Sequence, residues 1–268
     1  MLRYDAVWLM EQYPWEVPAR PGLPYKQIAG LEEYEVIRCG EPFRLHDVLG
    51  LTPRLDYDET VARLVSYEDG ILHIGRAAFS DGVKSNYAMD GPGELRQILR
   101  KEYGGKLPPL ADPRLSNGIG TAVVVFAEDR PYLPRRAPRQ SVFPAGYHCT
   151  ASGETVWTDA RDFDGIFTAN ICRELKEEVG LARADLDWIR PVSFCREFLR
   201  AGKPQFFFAA GTSLGEAALR DRRVAAIERQ IAHGRQEILD ELLPEVTPET
   251  LKLCTLECIA NLELACAR

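Results

Sequence analysis

Three glutamates in one short segment have the spacing to hold a divalent metal ion. Residues 173–181 read Arg-Glu-Leu-Lys-Glu-Glu-Val-Gly-Leu. On a helix, Glu174, Glu177 and Glu178 fall within about 100° of one another. The adjoining face is apolar and suited to burial, and Gly180 is a typical helix stop. The segment is therefore predicted to be a helix that presents three carboxylates side by side.

These carboxylates are badly placed for a helix that needs only to be stable. Glu174 and Glu178 form a like-charge i,i+4 pair, which costs about 0.2–0.5 kcal/mol. Glu177 and Glu178 lie in the last turn, where the helix dipole disfavours anions by about 0.3–1 kcal/mol. A divalent cation would reverse both penalties, and carboxylate oxygens suit Mg²⁺ or Mn²⁺. The alternative interpretation is a solvated acidic face.

The same string resembles the second half of the Nudix box, the signature of hydrolases that act on a nucleoside diphosphate linked to another group. Residues 173–181 match every specified position of that half. The resemblance implies that Glu174, Glu177 and Glu178 hold Mg²⁺ or Mn²⁺ and that Arg173 orients a carboxylate. It also implies a Nudix-type α/β/α sandwich with a mixed sheet, a fold of the α+β class. Homodimers are common in this family.

The first half of the box departs from the family pattern. Strict spacing places Gly165 and Asp159 where the family has a glutamate and a glycine. A second register keeps the chemistry, because residues 143–146 resemble the family's Pro-Gly-Gly turn and residues 152–155 resemble its Gly-Glu. The resemblance then implies that the backbone carbonyl of Gly146 is a metal ligand. Glu154 is either a structural or a metal-supporting residue.

This second register requires an insertion at residues 155–165. A surface loop absorbs such an insertion at little cost, since doubling a loop's length costs only about 0.6 kcal/mol. The inserted lobe either shapes substrate choice or serves as structural packing around Trp157 and Phe163.

Other charged residues are further candidates for the site. Arg135 and Arg136 stand where family members often have an arginine, which can clamp a diphosphate through paired donors. The alternative for both is a solubilising charge on a loop. His148 is either a substrate contact or a packed residue. Some family members carry another glutamate in a late loop, for which the candidates here are Glu197, Glu228 and Glu237.

Composition excludes several classes of partner. The 268 residues carry a net charge of −7, which argues against a broad nucleic-acid-binding surface. No apolar run reaches the roughly 18 residues needed to span a bilayer. Charge interrupts the first residues too early for a signal peptide. The seven cysteines lack a disulfide or zinc-finger spacing, which favours free thiols in a reducing cytoplasm over metal ligands. We therefore predict a cytoplasmic protein without nucleic-acid or membrane partners.

The chain divides into two predicted parts, a β-rich N-terminal module at 1–114 and a Nudix domain at 115–268. The first 30 residues are predicted to be irregular, and residues 43–46 continue a strand that begins near Tyr34. An Asp-Gly turn at 69–70 predicts a hairpin. Further strands are expected at 121–126, 132–133, 192–199 and 205–210, and helices at 93–103, 216–232 and 248–265. Residues 42–46 and 110–113 are similar to the UDP-sugar pyrophosphatase branch of the family, which implies a nucleotide sugar as substrate.

Three functions are compatible with these patterns. The first is metal-dependent hydrolysis of the diphosphate bond in a small nucleoside diphosphate derivative. The altered box motivates the second, a Nudix-fold nucleotide-binding or regulatory protein without turnover. The third is a scaffold that binds a protein partner through its N-terminal module.

Overall fold

A computed structural model describes residues 25–29, 34–52, 55, 58–90, 94–138 and 145–266. The predictions for residues 1–24 and for Phe143-Pro144 lie outside these ranges. In chain order the strands are β1 (Tyr25–Ala29), β2 (Glu35–Pro42), β3 (Thr60–Glu68), β4 (Ile71–Ala78), β5 (Gly120–Ala127), β6 (Arg130–Tyr132), β7 (Pro134–Arg136), β8 (Ala151–Glu154), β9 (Trp188–Glu197), β10 (Lys203–Thr212) and β11 (Ile238–Leu242).

Six helices accompany these strands in the described residues. They are α1 (Phe79–Lys84), α2 (Glu94–Tyr103), α3 (Ala169–Glu178), α4 (Glu216–Ala232), α5 (Pro248–Leu251) and α6 (Leu256–Cys266). Two 3₁₀ helices lie at Tyr87–Asp90 and Arg183–Asp185, and a π-helical stretch at Asp164–Thr168 leads into α3.

The main sheet is mixed and has the order β1-β9-β10-β5-β6, with β8 also paired to β5. Strands β5 and β10 run parallel, whereas β9 pairs with β10 in the antiparallel direction. Alternate residues of β10 enter two different cores: Phe206 and Phe208 pack with α3, and Phe207 packs with α6. Helices therefore cover both faces of the sheet, which confirms the predicted α+β sandwich.

A second sheet of three strands has the order β2-β4-β3 and lies between β1 and β5 in the chain. Strands β3 and β4 form the predicted hairpin, in which Asp69 and Gly70 take the positive φ values of a tight turn. The predicted division at 114/115 stays a prediction. Strand β1, from the first segment, pairs with β9 of the second.

The structure corrects several predicted elements. Residues 25–29 form β1 instead of irregular chain, and residues 43–46 lie outside any strand because β2 ends at Pro42. The predicted helix at 248–265 is two helices. Between them the backbone leaves the helical path because Tyr147 pairs with it, donating to the carbonyl of Leu253 and accepting from the N–H of Thr255, both at 2.8 Å.

Helix α3 forms where the glutamate spacing predicted it. Ile171, Leu175 and Val179 are fully buried against the sheet, which fixes the rotation of the helix about its axis. Gly180 ends the helix with φ of +76°, and a Cβ at this position would lie 2.4 Å from the carbonyl oxygen of Arg222. Only glycine fits both demands.

Candidate active site

Two of the three predicted carboxylates are buried by the packing of α3. Glu174 is 9% exposed and Glu178 is 5% exposed. Glu177, which immediately precedes Glu178 in the helix, is exposed. Burial of a carboxylate is costly unless other groups compensate its charge. The helix therefore places two acidic groups where an ordinary helix would place apolar ones.

Strand β8 forms the wall that faces these two carboxylates. The backbone N–H of Ser152 donates to Oε1 of Glu178 at 2.9 Å. A Cβ on Gly153 would lie 2.1 Å from Oε1 of Glu174, so the absence of a side chain at Gly153 is what lets the carboxylate approach the strand. Strand β8 is absent from the elements predicted from sequence, because four residues of mixed polarity give no periodic signal.

Arg173 binds two of the glutamates at once. Its Nη2 donates to Oε1 of Glu174 at 2.5 Å, and its Nη1 donates to Oε2 of Glu177 at 2.8 Å. Nη2 also donates to the side-chain oxygen of Asn170 at 3.1 Å. This arrangement corresponds to the carboxylate-orienting role that the sequence resemblance implies for Arg173.

A fourth glutamate, Glu237, acts on these carboxylates from a later part of the chain. Glu237 lies in the loop between α4 and β11, and its charge raises the pKa of Glu174 and of Glu178. Glu237 is exposed by area, yet protein atoms crowd its carboxyl group closely enough for burial to raise its pKa too. We call Glu174, Glu177, Glu178 and Glu237 the carboxylate cluster.

The pKa values of the cluster record burial and mutual repulsion. Burial raises the pKa of Glu174 to about 8, although the charge of Arg173 opposes the shift. Burial also raises the pKa of Glu178 well above its ordinary value, and the charges of Glu237 and Glu174 add to the effect. Nearby like charges of this kind disfavour ionisation. Burial and the neighbouring carboxylates therefore both disfavour the ionised forms of Glu174 and Glu178.

The donor chemistry of the carboxylate cluster fits Mg²⁺ or Mn²⁺, because all four groups supply carboxylate oxygens. In the described part of the chain, no group of three or more histidine, cysteine, aspartate or glutamate side chains is gathered closely enough to hold a metal ion. Arg173 and the Ser152 amide instead occupy oxygens of Glu174, Glu177 and Glu178. The carboxylate cluster therefore suits a divalent metal ion by the type and charge of its donors, and not by the present arrangement of its oxygens.

The structure separates the two arginine candidates. Arg135 pairs with Glu241 at 2.7 Å and donates to the carbonyl of Ala145, which occupies its guanidinium at the surface. The charge of Arg136, in contrast, lowers the pKa of both Glu178 and Glu237, so its guanidinium lies close to the carboxylate cluster. Of these two arginines, Arg136 is the one whose charge acts on the cluster.

Three other sequence candidates have structural partners. The carbonyl of Gly146 accepts the backbone N–H of Arg136 at 2.8 Å, and its role as a metal ligand stays a prediction. Glu154 accepts from the hydroxyl of Tyr87 at 2.5 Å and from Nζ of Lys203 at 3.2 Å, on the opposite face of β8 from Glu174.

His148 is a packed residue, as one of its two interpretations held. It is 3% exposed, and its two ring nitrogens contact the hydroxyls of Thr255 and Ser152 at 2.5 and 2.7 Å. Burial lowers its pKa well below the ordinary value, and the charge of Arg136 adds to this shift.

Of the three late glutamates, the structure brings only Glu237 to the cluster. Glu197 lies 3.7 Å from Arg200 in an ion pair, and Glu228 is exposed on α4. The spacing of the sequence contains no signal that singles out Glu237, because the loop that carries it is 59 positions beyond Glu178.

The inserted lobe at 155–165 packs against the protein. Arg38 lies over the ring of Trp157, at 4.1 Å from the ring centroid. Phe163 stacks on Tyr34 at 5.1 Å and meets Phe206 edge to face at 5.2 Å. These contacts favour the structural-packing interpretation of the lobe.

Comparison with known proteins leaves the chain without an assigned family. No family model matches it, and no curated protein matches it. A protein of Deinococcus radiodurans with a crystal structure at 1.9 Å is 16% identical, over 46% of this chain and 77% of its own, with a TM-score of 0.29. A Nudix hydrolase from Nitrosomonas europaea is 14% identical, over 49% of this chain and 97% of its own, with a TM-score of 0.23.

Proposed function

We propose that this protein is a metal-dependent hydrolase of the Nudix kind, which cleaves the diphosphate bond of a nucleoside diphosphate linked to another group, such as a sugar. The observation that carries the proposal is the burial of Glu174 and Glu178 beside Glu237, against the electrostatic preference of all three. A stable fold alone gives no reason to gather these charges. Binding of a divalent cation and a phosphorylated ligand would give such a reason.

In this proposal Glu174, Glu177 and Glu178 hold Mg²⁺ or Mn²⁺. When bound, the metal supplies Lewis-acid polarisation of the diphosphate and lowers the pKa of water near it. Arg173 holds Glu174 and Glu177 in a fixed geometry through its two donors. Arg136 donates hydrogen bonds to a phosphate oxygen and compensates the charge that develops there.

A carboxylate of the cluster acts as the general base and accepts a proton from the attacking water. An efficient base has a pKa near the working pH. Glu237 is the candidate for this role, because its pKa is raised and it is the most exposed of the three glutamates of the cluster that have a raised pKa. The products are a nucleoside monophosphate and the phosphorylated second group.

The test is a panel of nucleotide sugars, dinucleotides and nucleoside triphosphates with Mg²⁺ and with Mn²⁺, read by product identity. Glu178→Gln should lower metal-dependent turnover at least about 100-fold, because a removed transition-state contact is worth about 2.7–4 kcal/mol. Glu228→Gln is the matched control, since this exposed glutamate lies outside the cluster. Circular dichroism should be the same for both variants. Undiminished turnover in Glu178→Gln would overturn the proposal.

A second candidate function is nucleotide binding or regulation without turnover. It is favoured by one observation: in the described residues the carboxylates are bound to Arg173 and to the Ser152 amide and are not gathered around a metal position. The same panel separates the two functions. Binding of a nucleotide by calorimetry, without product from any substrate, would support the binding protein.

A further inference from the structure

Three consecutive residues of strand β8 each have a different neighbour: Glu178, Glu174, or the pair Tyr87 and Lys203. Ser152 donates its backbone N–H to Glu178 at 2.9 Å. Gly153 faces Glu174 so closely that a Cβ at this position would displace the Glu174 carboxylate. Glu154 points to the other face of the strand, where it accepts from Tyr87 and Lys203. The position of β8 along its neighbour therefore decides all three contacts together.

A side-chain anchor adds to the backbone pairing that fixes the register of so short a strand. In the described residues β8 has four residues and one full ladder, with β5, in which Gly120 faces Glu154 and Ala122 faces Ser152. A slip of one residue reverses which face each side chain takes. It would direct Ser152 or Glu154 at Glu174, where a Cβ already fails to fit. It would also withdraw the amide of Ser152 from Glu178.

The contacts of Glu154 supply such an anchor. Its partner Lys203 is 3% exposed, and the hydroxyl of Tyr87 donates to the same carboxylate oxygen, Oε1. The guanidinium of Arg200 lies 4.4 Å from the centroid of the Tyr87 ring and holds this ring in place. A buried carboxylate that loses one of its partners is strongly destabilised. Any register that removes Glu154 from Lys203 and Tyr87 is therefore disfavoured.

We propose that Glu154, Lys203 and Tyr87 are positioning residues that fix the register of β8 and thereby hold Glu178 and Glu174 in place. Tyr87 belongs to the 3₁₀ helix at Tyr87–Asp90, so the first part of the chain acts on the carboxylate cluster through β8. The three residues touch neither metal nor substrate. Their effect on hydrolysis rests on the proposed function, whereas their effect on β8 does not.

The test compares two tyrosines that make the same kind of contact. Tyr87→Phe removes the hydroxyl that donates to Glu154 at 2.5 Å and keeps the ring. Tyr103→Phe removes a hydroxyl that donates to Asp112 at 2.7 Å and makes no hydrogen bond to Glu154, so it is the matched control. Hydrogen exchange of the Ser152 amide, followed by NMR on the full chain, reports the contact between β8 and Glu178. The Mg²⁺ concentration for half-maximal turnover reports the carboxylate cluster.

In Tyr87→Phe we expect the Ser152 amide to exchange about five- to tenfold faster, and half-maximal turnover to require a similarly higher Mg²⁺ concentration, the change that one lost hydrogen bond produces. In Tyr103→Phe both should stay at the wild-type values even if the melting temperature falls. Lys203→Met, which removes the other partner of Glu154, should act in the same direction as Tyr87→Phe.

The outcomes separate this inference from the proposed function. Wild-type exchange at Ser152 in Tyr87→Phe would overturn the inference, and so would an equal effect of Tyr103→Phe. If the wild-type protein hydrolyses no substrate, the proposed function fails. Faster exchange at Ser152 in Tyr87→Phe alone would then still support the anchoring of β8.

Discussion

In the proposed function, protons and metal ions compete for the same oxygens of the carboxylate cluster. Glu174 and Glu178 have raised pKa values because they are buried, and because neighbouring carboxylates repel the second charge. A bound cation would favour the ionised forms that burial disfavours. The stability of the protein should therefore depend on pH in one way without metal and in another way with it.

The first prediction is that the metal-free protein loses stability as the pH rises from about 4.5 to 8. The folded protein keeps a proton on Glu174 up to a pKa of about 8, whereas the unfolded chain loses this proton near the ordinary value of 4.5. The folded state then binds more protons in this window, so the free energy of unfolding falls with pH, by at most about 1.4 kcal/mol per pH unit for one group. Glu257, with its pKa raised by burial to about 7, acts in the same direction.

Urea unfolding at pH 5, 6, 7 and 8 measures this dependence. Glu174→Gln should flatten the curve, because glutamine does not titrate, and Mg²⁺ should stabilise the wild-type protein more at pH 8 than at pH 6. Identical curves for the wild type and Glu174→Gln would contradict the assignment of the proton to Glu174.

The second prediction concerns the two adjacent arginines. Arg136→Gln should lower kcat/KM about tenfold to a hundredfold, since a hydrogen bond to a charged group is worth about 1.5–3 kcal/mol. Arg135→Gln is the control and should have little effect, as Arg135 is engaged by Glu241. Steady-state kinetics that rank the two variants in the reverse order would contradict this placement.

At the residue scale, the sequence predicts what a single helix brings together. A helix turns by 100° per residue, so Glu174 and Glu178, four positions apart, lie on the same side of α3. Both are buried in the structure. Glu237 reaches the same place only through the packing of α4 and β11, which no local spacing encodes. Likewise, the sequence does not distinguish Arg135 from Arg136. Only the folded structure shows that Arg135 forms an ion pair with Glu241.

At the scale of elements, the contact between β8 and α3 requires a glycine. The third prediction is that Gly153→Ala lowers the free energy of unfolding by about 1–3 kcal/mol, the usual cost of overpacking, because its Cβ would lie 2.1 Å from Oε1 of Glu174. The displaced carboxylate should also raise the Mg²⁺ requirement. Gly40→Ala in β2 is the control, since a Cβ there meets no atom within 4 Å. Equal stability of the two variants by urea unfolding would contradict the close approach.

The elements that the sequence predicted well are those with a strong local pattern. Helix α4 has the predicted bounds, and the Asp-Gly turn joins β3 to β4 as expected. The apolar pattern of residues 248–265 does not reveal the break between α5 and α6. Cys254 lies in the non-helical segment between them and is buried, as a core residue of a continuous helix would be. Pairing of this segment with Tyr147, more than 100 positions away in the chain, decides where the helix stops.

At the scale of the whole molecule, the two predicted parts share one core. Leu64, Leu72 and Ile74 of the β3–β4 hairpin pack in the same apolar cluster as Phe206 of β10 and Ile171 of α3. Backbone hydrogen bonds cross between the parts as well. The N–H of Ala62 donates to the carbonyl of Thr155 at 2.7 Å, and the N–H of Leu64 donates to that of Asn117 at 2.9 Å. Separation of the two parts would expose apolar surface on both.

The carboxylate cluster should therefore depend on the hairpin for its stability, and the fourth prediction is a single cooperative unfolding transition for the whole chain. In scanning calorimetry Leu72→Ala should move the entire transition to lower temperature, because a buried leucine truncated to alanine costs about 2–5 kcal/mol. Leu72 lies in β4 and is fully buried. The far-UV signal of α3 and α4 should melt together with that of the hairpin. Two transitions, of which Leu72→Ala shifts only one, would contradict this coupling and would favour independent domains on either side of residue 114.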